Sequence, residues 1–106
     1  MIKYANKYTD TSFDIAKCRE SAESGYAPAQ YQLGQCYENG IGVEQDMTEA
    51  VRLYKKAATN INENTGYNGH AGAMRCLADC YANGDGVRKN AKQAAAWYAR
   101  ADSANG

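Results

Sequence analysis

Charge of one sign is what this chain lacks most plainly: its 12 Lys and Arg are cancelled by 12 Asp and Glu. Without a basic surplus there is no electrostatic footprint for nucleic acid or for an anionic membrane, and neither is expected as a partner. Long apolar runs are missing too, and none approaches the ~18–20 residues that span a bilayer. The opening Met1-Ile2-Lys3-Tyr4-Ala5-Asn6-Lys7-Tyr8 has no hydrophobic segment of a secretory leader. The expected compartment is therefore the cytoplasm, or the periplasm if a leader has been trimmed away. Histidine occurs once, as His70. With Cys76 and Cys80 it makes His-x5-Cys-x3-Cys, which fits none of the common zinc spacings and has no evident fourth ligand. No metal and no cofactor are expected. Nothing near His70 or a cysteine marks an activated nucleophile, and the carboxylates are scattered along helix surfaces, so no enzymatic chemistry is expected either.

Four cysteines are present, but their spacing does not make a disulfide framework. Cys76 and Cys80, four apart on a helix, place their Cβ atoms about 5–6 Å apart. A disulfide needs about 3.5–4.5 Å. Cys36 and Cys80 hold equivalent positions between Leu and Tyr on faces that must be buried. They read as small apolar filler in a reducing compartment. Only Cys18–Cys36 stays open as a pairing.

The chain states one passage twice. Leu33-Gly34-Gln35-Cys36-Tyr37-Glu38-Asn39-Gly40-Ile41-Gly42-Val43 returns as Leu77-Ala78-Asp79-Cys80-Tyr81-Ala82-Asn83-Gly84-Asp85-Gly86-Val87. Aligned without a gap, residues 25–58 and 69–102 share 13 of 34 positions. Composition alone would give roughly two or three. A repeat of this length means stacked supersecondary units.

Each unit spells a helix pair. Pro28 suits a first helical turn, where its missing N–H costs nothing. Ala29, Leu33, Cys36 and Tyr37 form a buried stripe, repeated by Ala73, Leu77, Cys80 and Tyr81. Gly34 admits a close neighbour. Gly40 and Gly84 end these helices in the left-handed conformation. Gly42-Val43 and Gly86-Val87 make the turns, with valine as an apolar plug. Asp46 with Glu49, and Asn90 with Gln93, have capping-box spacing. The second helices bury Ala50, Leu53, Tyr54, Ala57 and Ala58, and Ala94, Trp97, Tyr98 and Ala101. The Gly-x-Gly turns follow helices and lack a Lys-Ser/Thr ending, so they are not phosphate loops. Before the units, Asp10-Thr11-Ser12 offers N-caps for a helix running to about Ser24, with Phe13, Ile15, Ala16 and Cys18 as its apolar content. Between them, residues 59–70 are rich in Asn and Gly and read as a loop, longer than the ~2–8 residues usual between helices.

The doubled pattern resembles the Sel-one-like repeat, a relative of the tetratricopeptide repeat. It is carried by Ala27, Ala29, Leu33, Gly34, Tyr37, Gly40, Gly42, Val43, Asp46, Ala50, Tyr54 and Ala57. In the second unit it falls on Ala71, Ala73, Leu77, Tyr81, Gly84, Gly86, Val87, Ala94, Trp97, Tyr98 and Ala101. Ala78 stands where that family prefers Gly, and Asn90 where it prefers Asp. The family's unit is shorter, so about eight residues are inserted in the linker. The resemblance implies an all-α, α/α repeat solenoid with a right-handed superhelix. Five helices are expected, a capping helix and two antiparallel pairs, in a single domain over 1–106. Its parts are a capping helix in 1–24, repeats at 25–58 and 69–102, an inserted linker at 59–68 and a tail at 103–106.

The resemblance also implies a non-catalytic scaffold or adaptor that binds a protein or peptide in a concave groove lined by the first helix of each pair. On the side opposite the buried stripe, Tyr31, Gln35, Glu38 and Asn39 are expected in that groove, with Arg75, Asp79, Ala82 and Asn83 at the equivalent positions. Tyr and Arg are types enriched at binding hot spots. An inhibitor or immunity-type protein that blocks one toxin or enzyme is the alternative. The alanines of the last helix, Ala91, Ala94, Ala95, Ala96, Ala99, Ala101 and Ala104, suggest self-association there, because a terminal solenoid helix normally needs a polar outer face.

Overall fold

The computed structural model describes residues 14–62, 64–65 and 67–105. In chain order they form α1 (Ile15–Glu23), α2 (Ala27–Asn39), α3 (Met47–Ala58), β1 (Ile61–Asn62), β2 (Tyr67–Asn68), α4 (Ala71–Asn83) and α5 (Ala91–Asn105). The architecture is an all-α helical repeat solenoid. α1 packs on α2, α2 pairs with α3, α3 carries α4, and α4 pairs with α5. No described helix is long and apolar enough to cross a membrane.

Two features depart from the sequence expectation. The N-cap of α1 is Asp14, whose carboxylate accepts the N–H groups of Ala16 and Lys17. The expected caps Asp10, Thr11 and Ser12, with Phe13, lie outside the described residues. The linker, read as a loop, contains a two-residue antiparallel pairing with Ile61 opposite Asn68 and Asn62 opposite Tyr67. Alternation over two residues is too short to register as a strand in sequence.

The duplicated devices act alike in both units. The Cys36 carbonyl accepts from Gly40 and Ile41, as that of Cys80 accepts from Gly84 and Asp85, with Gly40 and Gly84 left-handed at φ 68° and 75°. Asp46 Oδ1 accepts from the Glu49 N–H at 3.1 Å, and Asn90 Oδ1 from that of Gln93 at 3.0 Å. Only this half of each capping box forms. The N–H of Asp46 goes to the Tyr37 carbonyl, and that of Asn90 to the Tyr81 carbonyl, both at 2.8 Å. The last turn of the first helix thus satisfies an orphan carbonyl, and the Glu49 carboxylate turns to Arg52 instead.

Both Gly-x-Gly turns nest on the preceding element. A Cβ at Gly42 would meet Ile15 of α1 at 3.5 Å, while one at Gly86 would meet the Met47 carbonyl oxygen of α3 at 2.5 Å. α1 therefore stands to the first pair as α3 stands to the second. This is the capping-helix role in physical terms.

Two clusters of buried side chains form the core. Cys18, Ala22, Ala29, Leu33 and Leu53 join α1 to the first pair. Tyr54, Ala57, Ala58, Ala73, Met74 and Leu77 join the two pairs across α3 and α4. All four cysteines are free thiols, with Cys18 and Cys36 both buried, so the pairing left open between them is not formed.

Candidate functional site

The residues expected in a groove divide into two groups. On α4, Arg75, Asp79 and Asn83 are exposed at successive turns, with Ala82 half-buried beside them. Arg75 lies 3.5 Å from the Asp102 carboxylate, and Asp79 accepts the Tyr98 hydroxyl. The Arg75 pair is largely solvent-exposed on both sides, and such a pair contributes little stability. Of the α2 residues expected there, only Asn39 is exposed, its amide donating to the Gln35 carbonyl at 3.0 Å. Tyr31, Gln35 and Glu38 are half-buried. The more open side of α2 carries Pro28 and Gln32 instead. Spacing alone set the stripe at 29, 33, 36 and 37, whereas Gln30 and Gly34 are buried as well, which turns the covered arc toward Tyr31 and Glu38.

What covers Tyr31 and Glu38 is the junction with the second pair. The Tyr31 ring stacks on His70 with centroids 4.4 Å apart, and lies 6.1 Å from the Tyr54 ring. Gln35 donates to the Tyr31 hydroxyl at 3.0 Å. Tyr54 is fully buried and donates to Glu38 Oε1 at 2.5 Å. Gly34 makes this possible, because a Cβ there would lie 2.7 Å from the Tyr54 ring. In the second unit Ala78 fills that space, and Ala82 offers no carboxylate where Glu38 does. Tyr98 is half-buried and takes Asp79 as its acceptor.

The junction is also where the titratable groups are most perturbed. Burial, with help from the bond to Glu38, pushes the Tyr54 phenol well above its ordinary range. Burial raises the Cys76 thiol, and the Glu38 charge adds to it. Cys80 is pushed up to about 12, again by burial first and Glu38 second. A thiol held protonated is a poor nucleophile. His70 is held below its usual value by burial. Its Nδ1 accepts the Ala73 N–H at 3.1 Å, making His70 the N-cap of α4. In the sequence His70 reads as the last residue of the Asn- and Gly-rich loop over 59–70. Its place three residues before Ala73, opening a periodic helix, was the available signal. Among the described residues no three His, Cys, Asp or Glu side chains converge as a metal site requires.

The comparisons agree with this geometry. The family model for the Sel1 repeat matches residues 27–62 and 71–101. Rat "DAP3-binding cell death enhancer 1" is 42% identical over 43 residues, which is 41% of this chain and 8% of that protein. The mouse protein of the same name is 40% identical over 43 residues, again 41% of this chain and 8% of the relative. The chain thus spans a small fraction of the curated relatives it matches. Among solved structures, a Sel1 repeat protein from Oxalobacter formigenes superposes with TM-score 0.73 at 38% identity, over 85% of this chain and 34% of the other. A protective antigen of uropathogenic Escherichia coli displaying an SLR fold gives TM-score 0.72 at 38% identity, over 81% and 17%. Sel1 repeats are in general protein-interaction modules and typically not enzymes. With both helix pairs matched by its model, this chain belongs to the Sel1 repeat family.

Proposed function

We propose that this protein is a non-catalytic interaction module that binds a partner protein or peptide along the open side of α4 and the adjoining end of α2. The observation that carries this reading is the exposed row Arg75, Asp79 and Asn83 on α4, with Asn39 exposed at the equivalent end of α2. A guanidinium, a carboxylate and an amide at successive turns offer donor and acceptor groups on a rigid helix. The raised pKa values of the half-buried Cys76 and the buried Cys80 also favour binding over chemistry at the junction. The relatives' name records that they bind another protein, DAP3, which accords with this class of function.

The test is affinity capture from cells of the source organism with the wild type and with an Arg75→Glu/Asn83→Lys double variant. Both side chains are exposed, so the fold is expected to survive. Loss of a captured protein in the variant supports the α4 row, and retention of every captured protein refutes it. If the captured protein is an enzyme or toxin silenced in a one-to-one complex, the inhibitor reading replaces the adaptor. A Tyr31→Ala variant is unsuitable, because it would also open the junction with His70.

A further inference from the structure

The turns inside the two helix pairs stand side by side along one edge of the molecule, and they carry opposite charge. Residues 41–49 hold three acids, Glu44, Asp46 and Glu49, and no base. The equivalent stretch, 85–93, holds three bases, Arg88, Lys89 and Lys92, and a single acid, Asp85. Glu44 and Arg88 occupy the same repeat position, so the sign inverts there while the surrounding pattern is kept. Packing fixes the spacing of the two turns. A Cβ at Gly86 of the second turn would lie 2.5 Å from the Met47 carbonyl oxygen and 2.9 Å from Val51 Cγ2, both in the helix that the first turn opens.

Neither set of charges is neutralised within the chain. Glu44, Asp46, Arg88, Lys89 and Lys92 are all exposed. Among the described residues the ion pairs are Glu49 with Arg52 and Arg75 with Asp102, so no acid of the first turn holds a base of the second. The bases also stand where the fold does not favour them. Arg88 and Lys89 precede the Asn90 cap of α5, and Lys92 lies in its first turn, which has no acid. Cations at the N-terminal end of a helix oppose its dipole. In α3 the arrangement is the favourable one, with Glu49 in the first turn and Lys55 and Lys56 in the last.

An edge with an acidic end and a basic end complements itself. A two-fold axis across it reverses one copy against the other, and acid then meets base at both ends of the contact. A wholly acidic partner would suit the second turn and be repelled by the first, and a wholly basic one the reverse. A second copy brings both signs, at the spacing that the contact of Gly86 with Met47 sets. The equal totals of bases and acids, 12 of each, add no net repulsion between copies. We propose that this edge is a self-association surface, on which two copies pair about a two-fold axis with Glu44 and Asp46 of each facing Arg88 and Lys92 of the other. Exposed ion pairs are individually weak and screened by salt, so the dimer is a low-affinity, salt-sensitive one.

The test is sedimentation velocity on the intact chain, in a series up to millimolar protein, at low salt and in about 0.5 M salt. A weight-average sedimentation coefficient that climbs toward a dimer at low salt, and far less at high salt, supports the proposal. Glu44→Arg and Arg88→Glu should each weaken association by about tenfold or more. An equimolar mixture of the two variants should regain it, because position 44 of one copy then faces an opposite charge at position 88 of the other at both ends. Neither side chain makes a hydrogen bond or ion pair among the described residues, so both variants are expected to fold. A monomer at every concentration in low salt, a dimer indifferent to salt, or a mixture no more associated than its components would each overturn it. So would a dimer that both variants leave intact, as one built on the exposed Ala95, Ala96 and Ala99 of α5 would be. Binding of a blocked oligoglutamate peptide by a chain that stays monomeric would also overturn it, and would give the second turn to an acidic partner.

Discussion

The His70 imidazole lies against the Tyr31 ring at 4.4 Å between centroids and 25° between planes, while its Nδ1 caps the helix that begins one residue later. One side chain thus joins the two units and starts the second. The capping task needs the neutral ring, because a protonated Nδ1 cannot accept and a cation at a helix N-terminus opposes the dipole.

Stability should accordingly depend on His70 in acid. Its folded pKa is depressed, and burial is the sole cause. The group stacked on it is the Tyr31 phenol from α2, uncharged at neutral pH, and no charged neighbour contributes to the shift. Stability from the neutral ring is fully present above the unfolded pKa of about 6.5 and is lost as pH falls through the folded value. Replacing His70 by Asn keeps a capping acceptor that does not titrate. Thermal melts between pH 7 and 5 should show the wild type losing about 4–8 °C more than His70→Asn, the equivalent of about 1 kcal/mol. Parallel melting curves for the two proteins would refute this role.

Opposite substitutions at one repeat position should both destabilise. Gly34→Ala drives a methyl into the Tyr54 ring, which is fully buried and held by Glu38. Overpacking costs about 1–3 kcal/mol, against a helix-propensity gain of about 1. A net loss of about 1 kcal/mol is expected by urea denaturation. Ala78→Gly, at a fully buried position, loses a similar amount through propensity and packing.

Glu38→Ala should strand the Tyr54 hydroxyl in the core. An unsatisfied buried donor costs about 1–3 kcal/mol, readable as a lower midpoint in urea. In the wild type, spectroscopic titration should leave the Tyr54 phenol neutral past the usual value of about 10 and ionise it only as the chain unfolds.

The helix caps should be separable. Asp46→Ala and Asn90→Ala each remove one acceptor for a backbone N–H. Each should cost about 1 kcal/mol in chemical denaturation, and the double variant about the sum, because the two caps share no partner.

Thiol chemistry gives a further check. Cys18, Cys36 and Cys80 are buried, and burial raises all four thiols. At pH 8 an aromatic disulfide reagent should label the native protein far more slowly than the unfolded chain, with half-buried Cys76 reacting first. Rapid labelling of Cys80 in the native state would contradict its placement.

Much of this molecule was legible in its residues because the chain repeats itself. Gly40 and Gly84, Asp46 and Asn90, and the stripes through Leu33 and Leu77 each appear twice, and each pair does the same work. The groove was less legible. A helix seen alone offers only its own periodicity, and Tyr31 looks open until the second pair is laid against it. Arg75, in the matching place, is exposed in the described structure. The hairpin and the cap at His70 were hidden for another reason. A two-residue ladder leaves no alternation to detect, and histidine is not among the usual capping residues.

The two glycine turns give the array a gradient of stiffness. Gly86 rests against the backbone of α3, whereas Gly42 rests on the side chain of a single isoleucine. A backbone cannot yield without unwinding its helix, but an aliphatic side chain can change rotamer. Pulled from its ends, the protein should therefore shed α1 first and part its two helix pairs last, so that hydrogen exchange and forced unfolding read the same order from the N-terminus inward.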